Sequence, residues 1–447
     1  MVRMPTLVLP VEARGRLKKD FTMTLPIELL SYIFLVGQYL SLQEEADSET
    51  KRHPFELLVC AVNRHWRQAA LGTALLWHSI DSRKAPDMIA AYLRRSHSAG
   101  LHLRLVEPID PAALALVLAE RTRWATASIG ALLSAEEGLL CAALRTIGAC
   151  PVQHLSITFE TVDGGRTPTL GDVATPQIFL EAAPSPAFVR LRGFALLAMR
   201  PRLDGVVTLH LDLTRRLRFS YALLSSLLTS SPFLAHLSMH GYCEPSDWPE
   251  ERQTIHLPAL RSFRLKCMMG RTYTELLTRI EARGLVSLAL KDVQNDDLDG
   301  IWAMNEREPL FPKLETLFCV GCEFSDALYP LIMSAFPTIK EYICLGDTVG
   351  CPYIWRHLKP RHAHWPNLER LAFLFDEDER SYVMVEDLKA WQETGERRTL
   401  QLRLHTDTDI TDFQAYAHDC GVEVEKVPRL GAWPDAYTTD EEDSLFW

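Results

Sequence analysis

Along residues 206–373 apolar side chains recur in one short pattern, L-x-x-L-x-L, usually followed by a polar turn and a helical stretch. The clear copies are Val206-x-x-Leu209-x-Leu211, Leu234-x-x-Leu237-x-Met239, Leu260-x-x-Phe263-x-Leu265, Leu285-x-x-Leu288-x-Leu290, Leu314-x-x-Leu317-x-Cys319, Ile339-x-x-Tyr342-x-Cys344 and Leu368-x-x-Leu371-x-Phe373. Their middle positions, 209, 237, 263, 288, 317, 342 and 371, are 25 to 29 residues apart. Each copy ends in period-two alternation, which predicts a strand. A proline two or three residues upstream, as at Pro232, Pro258, Pro312, Pro337 and Pro366, stops the preceding helix and biases the chain toward extended geometry. Helices are predicted at Tyr221 to Leu228, Tyr273 to Arg283 and Asp326 to Ala335. Weaker copies stand at Leu101 to Leu105, Trp124-x-x-Ala127-x-Ile129, His154 to Ile157, Phe188-x-x-Leu191 and Leu400 to Leu404, so about a dozen parallel strands are expected. Between Thr158 and Pro186 the pattern fails, and an irregular insertion is expected.

The first eighty residues follow a different period. Pro26 suits a first helical turn and Glu28 the positive end of its dipole. Leu29 with Ile33 and Leu30 with Phe34 then make an apolar stripe that must pack on something. Gln43 to His53 reads as a polar, acidic loop. Pro54 opens a second helix carrying Leu58, Val62 and Trp66 at four-residue spacing, with Ala69 and Ala70 extending the face and Gly72 near its end. Leu75 to Ile80 reads as a helical turn running into an extended piece.

Composition narrows the class. With 447 residues, 47% hydrophobic and 23% charged, the chain can bury a core and is neither disordered throughout nor collagen-like. A net charge of −11 disfavours general nucleic-acid binding, which needs a basic face. The longest near-apolar run, Leu29 to Leu42, contains Ser31, Gln38 and Ser41 and is too short to span a bilayer, which takes about 20 apolar residues. Ten dilute cysteines and no Asn-x-Ser/Thr site fit an intracellular, reducing compartment, cytoplasmic or nuclear.

Three blocks at the amino end resemble the F-box in its basidiomycete fungal form. They are Leu25-Pro26-Ile27-Glu28-Leu29-Leu30-Ser31-Tyr32-Ile33-Phe34, then Val59-Cys60 with Trp66-Arg67 and Ala70-Leu71, then Leu76-Trp77-His78-Ser79-Ile80. The resemblance covers about 60 residues, and Asn63 to His65 depart from it at positions expected to face solvent. It implies a three-helix module that docks a Skp-type adaptor and, through it, a cullin. Leu25, Pro26, Leu29, Leu30, Ile33, Phe34, Val62, Trp66, Leu76 and Trp77 are the residues expected to form its core and adaptor contact. The remainder resembles divergent, cysteine-containing leucine-rich repeats, whose period of about 20 to 29 residues matches. The expected organisation is a flexible segment 1–20, an F-box 21–81, an α/β solenoid of parallel strands with outer helices over 82–434, and an acidic tail 435–447. A compact doubly wound α/β domain is the alternative for the repeats.

Candidate chemistry is thin. Cys319-x-x-Cys322, with Cys344, Cys351, His357, His362 and His364 downstream, lacks the second tight ligand pair a zinc site wants, and Cys319 and Cys322 fit inward places of the repeat. Asn295, Asp297, Asp299 and Glu306 have calcium-loop spacing but follow a strand, so Asp296 and Asp297 are read as helix caps. Asp407, Asp409 and Asp412 read as a solvated loop. No nucleophile, phosphate-loop or metalloprotease motif is present. With no such chemistry, the resemblance to the F-box implies a non-catalytic substrate receptor of a ubiquitin ligase without cofactor or metal, or, alternatively, an interaction scaffold whose F-box takes no part in ubiquitylation. An unidentified target protein, and neither nucleic acid nor membrane, would meet strand positions such as Arg264, Ala289, Phe318, Ile343 and Ala372.

Overall fold

The computed structural model describes residues 24–46, 54–133, 139–148, 150–161, 177–178, 186–193, 195, 200–218, 221–244, 248–251, 253–266, 272–298, 301, 309–322, 324–345, 354, 357, 365–374, 401–405, 410–419 and 423–427. The expectations for 1–20, the 435–447 tail, and most of the Gln43–His53 and Thr158–Pro186 stretches lie outside these residues. So do Cys351, His362, His364, Asp299, Glu306, Asp407 and Asp409. The chain divides into two compact units, residues 1–80 with 87–101 and residues 81–86 with 102–447.

The first unit holds α1 (Ile27–Ala46), α2 (Phe55–Val62), α3 (Arg64–Gly72), a 3-10 turn (Ala74–Trp77) and most of α4 (Pro86–Arg95). The expected helix from Pro54 to Gly72 is in fact two. Asn63 is fully extended, and its side chain accepts from the Trp66 backbone N–H at 2.8 Å, so it caps α3 where the pattern suggested continuity. Nor do all departures from the F-box pattern face solvent: Arg64 does, but His65 is half-buried, with Nε2 3.0 Å from the Leu25 carbonyl. α1 runs on to Ala46, into the span expected to be loop.

Mixed α/β structure follows, built on a parallel sheet of fourteen strands. They are β1 (Ser79–Asp81), β2 (Leu101–Val106), β3 (Trp124–Leu133), β4 (His154–Thr161), β5 (Phe188–Gly193), β6 (Thr208–Arg218) and β7 (His236–Glu244). β8 (Ser262–Lys266), β9 (Ser287–Lys291), β10 (Thr316–Val320), β11 (Glu341–Leu345), β12 (Arg370–Leu374), β13 (Gln401–His405) and β14 (Glu423–Val427) complete it. Strand order follows chain order without reversal. A doubly wound sheet reverses at a switch point, so this order rejects that alternative. Every neighbouring pair from β3 to β14 is parallel.

Register explains the repeat. Leu209, Leu237, Phe263, Leu288, Leu317, Tyr342 and Leu371 are successive cross-strand partners, all at 1% exposure or less. At about 1.5–3 kcal/mol for each large apolar side chain buried, this row and its partner at Leu211, Met239, Leu265 and Leu290 make the spine of the core. Buried faces of intervening helices add Leu223, Leu224, Leu227 and Leu228, then Tyr273, Leu276 and Leu277, then Ile332 and Met333. Two expectations shift. The helix after β8 spans Thr272–Arg279, and Ile280–Glu281 is a strand paired with Ile255–His256. The frame of β5 moves as well, since Val189, not Leu191, pairs with Leu209. Asp412 lies within the helix Thr411–Asp419 rather than in a loop.

Candidate docking interface

The ten residues expected to form the amino-terminal site separate into an inner and an outer set. Leu30, Phe34, Leu76 and Trp77 are 1% exposed or less and form the core of the first unit. Phe34 packs on Trp66 with ring centroids 5.1 Å apart. Trp77 donates from Nε1 to the Ala70 carbonyl at 2.8 Å, meets Tyr92 of α4 edge-on at 5.1 Å, and carries Arg95 over its ring at 4.3 Å. Pro26, Leu29, Ile33 and Val62 are exposed, the last three at 51%, 48% and 55%, while Leu25 and Trp66 are half-buried.

Helix geometry accounts for the split. Leu30 and Phe34, one turn apart, take the inward face of α1, which places Leu29, Ile33, Val36 and Leu40 at i, i+4, i+7 and i+11 on another face, with Tyr32 and Tyr39 beside them. All six are exposed. A helix apolar on all sides is normally buried all round; α1 is covered only on the Leu30–Phe34 side. Leu58 and Val62 of α2, Leu71 of α3 and Leu75 add further exposed apolar positions. None of Tyr32, Val36, Tyr39, Leu40, Leu58, Leu71 and Leu75 is among the ten residues expected from sequence to form the site. The signal was there, as apolar residues on both faces of α1, but spacing gives a period and not the direction of the core.

Two devices hold the helices under this face. Gly37 of α1 lies where a Cβ would run into the tip of the Phe55 ring, so the missing side chain lets that ring of α2 lie against α1. Glu56 of α2 is buried, accepts from the Tyr92 hydroxyl at 2.5 Å, and has Gln38 Nε2 at 3.4 Å; the same amide donates to the Leu76 carbonyl at 3.1 Å. Burial and this carboxylate drive the Tyr92 phenol well above its ordinary value, so it stays a donor at any working pH. Three helices and the 3-10 turn are thereby tied through one buried polar cluster.

The second unit corrects the expected target-facing positions. Arg264, Ala289, Ile343 and Ala372 point away from the main core but are buried, at 4%, 3%, 3% and 0%, and Phe318 is half-buried. Ile343 and Ala372 form a second small apolar cluster with Phe318 and Val320 packed on it. Arg190 and Asp212, on the same side of neighbouring strands, make a buried ion pair at 2.6 Å. The cysteines behave as repeat positions: Cys319 and Cys344 are cross-strand partners inside, and Cys322 donates to the Leu290 carbonyl at 3.4 Å. Burial, with Cys322 and Cys344 beside it, pushes the Cys319 thiol well above its ordinary value. Asp297 accepts from the Gln294 N–H at 2.9 Å, closing the turn before it. Among the described residues no group of three or more His, Cys, Asp or Glu side chains is placed to hold a metal ion, and no helix is long and apolar enough to cross a membrane.

No family model matches the chain, and no curated protein matches it.

Proposed function

We propose that the protein is a substrate-receptor subunit of a Skp-cullin-F-box ubiquitin ligase, built from an F-box and a leucine-rich-repeat solenoid. The first unit docks a Skp-type adaptor and the second holds a target protein. The observation that carries this reading is the exposed apolar face of α1, from Leu29 to Leu40, with Leu58 and Val62 of α2 exposed as well. Contiguous exposed apolar surface of this kind marks a protein–protein contact. It begins within the first of the blocks that resemble the F-box, at Leu29, Tyr32 and Ile33. Constant period, parallel register and unreversed strand order support the solenoid. The chain supplies no reacting group; it raises the effective concentration of a target lysine near a charged ubiquitin carrier.

Co-expression with a fungal Skp-type adaptor tests the reading. Wild type is expected to copurify with adaptor, and Ile33→Asp, at a half-exposed position that does not hold the fold together, to abolish copurification. Failure of correctly folded wild type to bind adaptor would sink the proposal. Adaptor binding without ubiquitylation of any bound protein would favour the interaction scaffold instead.

A further inference from the structure

The blocks that resemble the F-box end at Ile80, but the first unit takes in 87–101 as well. From that stretch α4 buries Ile89, Tyr92 and Leu93. Tyr92 and Arg95 both lie on Trp77 of the third block, the tyrosine edge-on at 5.1 Å and the guanidinium over the ring at 4.3 Å. The Tyr92 hydroxyl also donates to the Glu56 carboxylate of α2 at 2.5 Å. Glu56 and Val59 are the buried residues of α2, whereas Leu58 and Val62 are exposed. At about 100° per residue, Leu58 points roughly 200° and Val62 roughly 240° away from Glu56 around the helix axis. Whatever fixes the roll of α2 at Glu56 therefore also fixes where Leu58 and Val62 point. With only eight residues, α2 is too short to hold an orientation by itself. A buried apolar contact would let it turn by degrees; a hydrogen bond to a charged group is short, strong and confined to a narrow angle.

We propose that Tyr92 is a positioning residue for adaptor docking: its hydrogen bond to Glu56 sets the roll of α2 and so aims Leu58 and Val62 at the partner. This rests on the reading of the first unit as the docking part and extends that part to α4, outside the blocks that carry the resemblance. Gln38 supports the same carboxylate from the other side. It continues the inward line of Leu30 and Phe34 on α1, its amide lies 3.4 Å from Glu56, and it donates to the Leu76 carbonyl at 3.1 Å. The roll of α2 is thus referred both to α1, which carries the rest of the exposed apolar face, and to α4 behind it.

The test follows dissociation of the full chain from an immobilised fungal Skp-type adaptor. Lost stability alone lowers the amount bound, whereas a misaimed face raises the dissociation rate. Tyr92→Phe is expected to raise that rate about three- to ten-fold. Glu56→Gln keeps a carbonyl for the Tyr92 hydroxyl and is expected to stay within about two-fold of wild type. Combining Tyr92→Phe with Glu56→Leu removes both ends of the bond. That pair is expected to recover much of the melting temperature lost by Tyr92→Phe and still to dissociate fast, since nothing directional then holds α2. A wild-type rate for folded Tyr92→Phe would overturn the proposal. So would a double variant whose rate returns to normal along with its melting temperature, because the bond would then serve folding alone. If Tyr92→Phe does not fold, the double variant carries the comparison. Folded wild type that binds no adaptor sinks the docking reading and this inference with it; wild type and variants that bind alike sink this inference only.

Discussion

The two units treat apolar surface in opposite ways. Seventeen large apolar side chains are exposed among the described residues, and twelve of them lie in 24–101. The repeats bury the pattern residues of β6 to β11 and, in the middle of the sheet, much of the opposite face as well. The difference lies in how each element finds cover. A strand in the array gains a neighbour on both sides from the chain itself. A short helical bundle has little chain with which to wrap α1, and one flank of it is exposed among the described residues.

Substitutions can break this contrast, and the largest effects are expected inside. Arg190→Leu removes the guanidinium 2.6 Å from buried Asp212 and is expected to cost about 3–5 kcal/mol, while the double change with Asp212→Leu recovers most of it. Denaturant unfolding of the single and double variants reads this directly. Phe34→Ala, in the core of the first unit, is expected to cost a similar amount, about 3–5 kcal/mol, seen as faster amide exchange in α1 to α3. Tyr92→Phe takes one donor from buried Glu56 and is expected to cost about 1–3 kcal/mol by the same exchange measurement. Acid acts on the second unit. Burial lowers the pKa of His102, His154 and His236, with nearby His154 adding to it at His102 and Arg264 at His236. With folded values below the unfolded 6.5, their neutral forms support folding fully above that pH, and stability is lost as pH falls through the folded values. A melting temperature that stays level from neutral pH to pH 5 would contradict this. The smallest effect is expected next door to Phe34. Ile33→Asp should shift stability by no more than about 0.5 kcal/mol while removing adaptor, so adjacent residues separate folding from docking.

Much of the array was legible because leucine at fixed spacing reports both period and phase. Where leucine was missing, the reading slipped. At β5 the first place of the pattern is Pro186, so the eye moves to Phe188 and Leu191 and the frame slides by two residues. β14, Glu-Val-Glu-Lys-Val at the sheet edge, went unnoticed because an edge strand needs few apolar residues. In the helices, Leu58, Val62 and Trp66 kept a helical period straight across Asn63, and only the cap's extended backbone shows the break. Burial of Arg264 and Ala372 could not be read at all, since alternation tells which face a residue joins and nothing about what stands over that face.

The unreversed strand order has one more consequence. Strands that pair only with their predecessor and successor in the chain have no partner from a distant part of the sequence to lose. A stretch of 25 to 29 residues, cut from one marker leucine to the next, can in principle be removed or duplicated while the strands on either side close up in the same register. In such an architecture the length of the surface is an adjustable quantity, and a lineage can refit it to a longer or shorter ligand by copying whole turns rather than by redesigning a core.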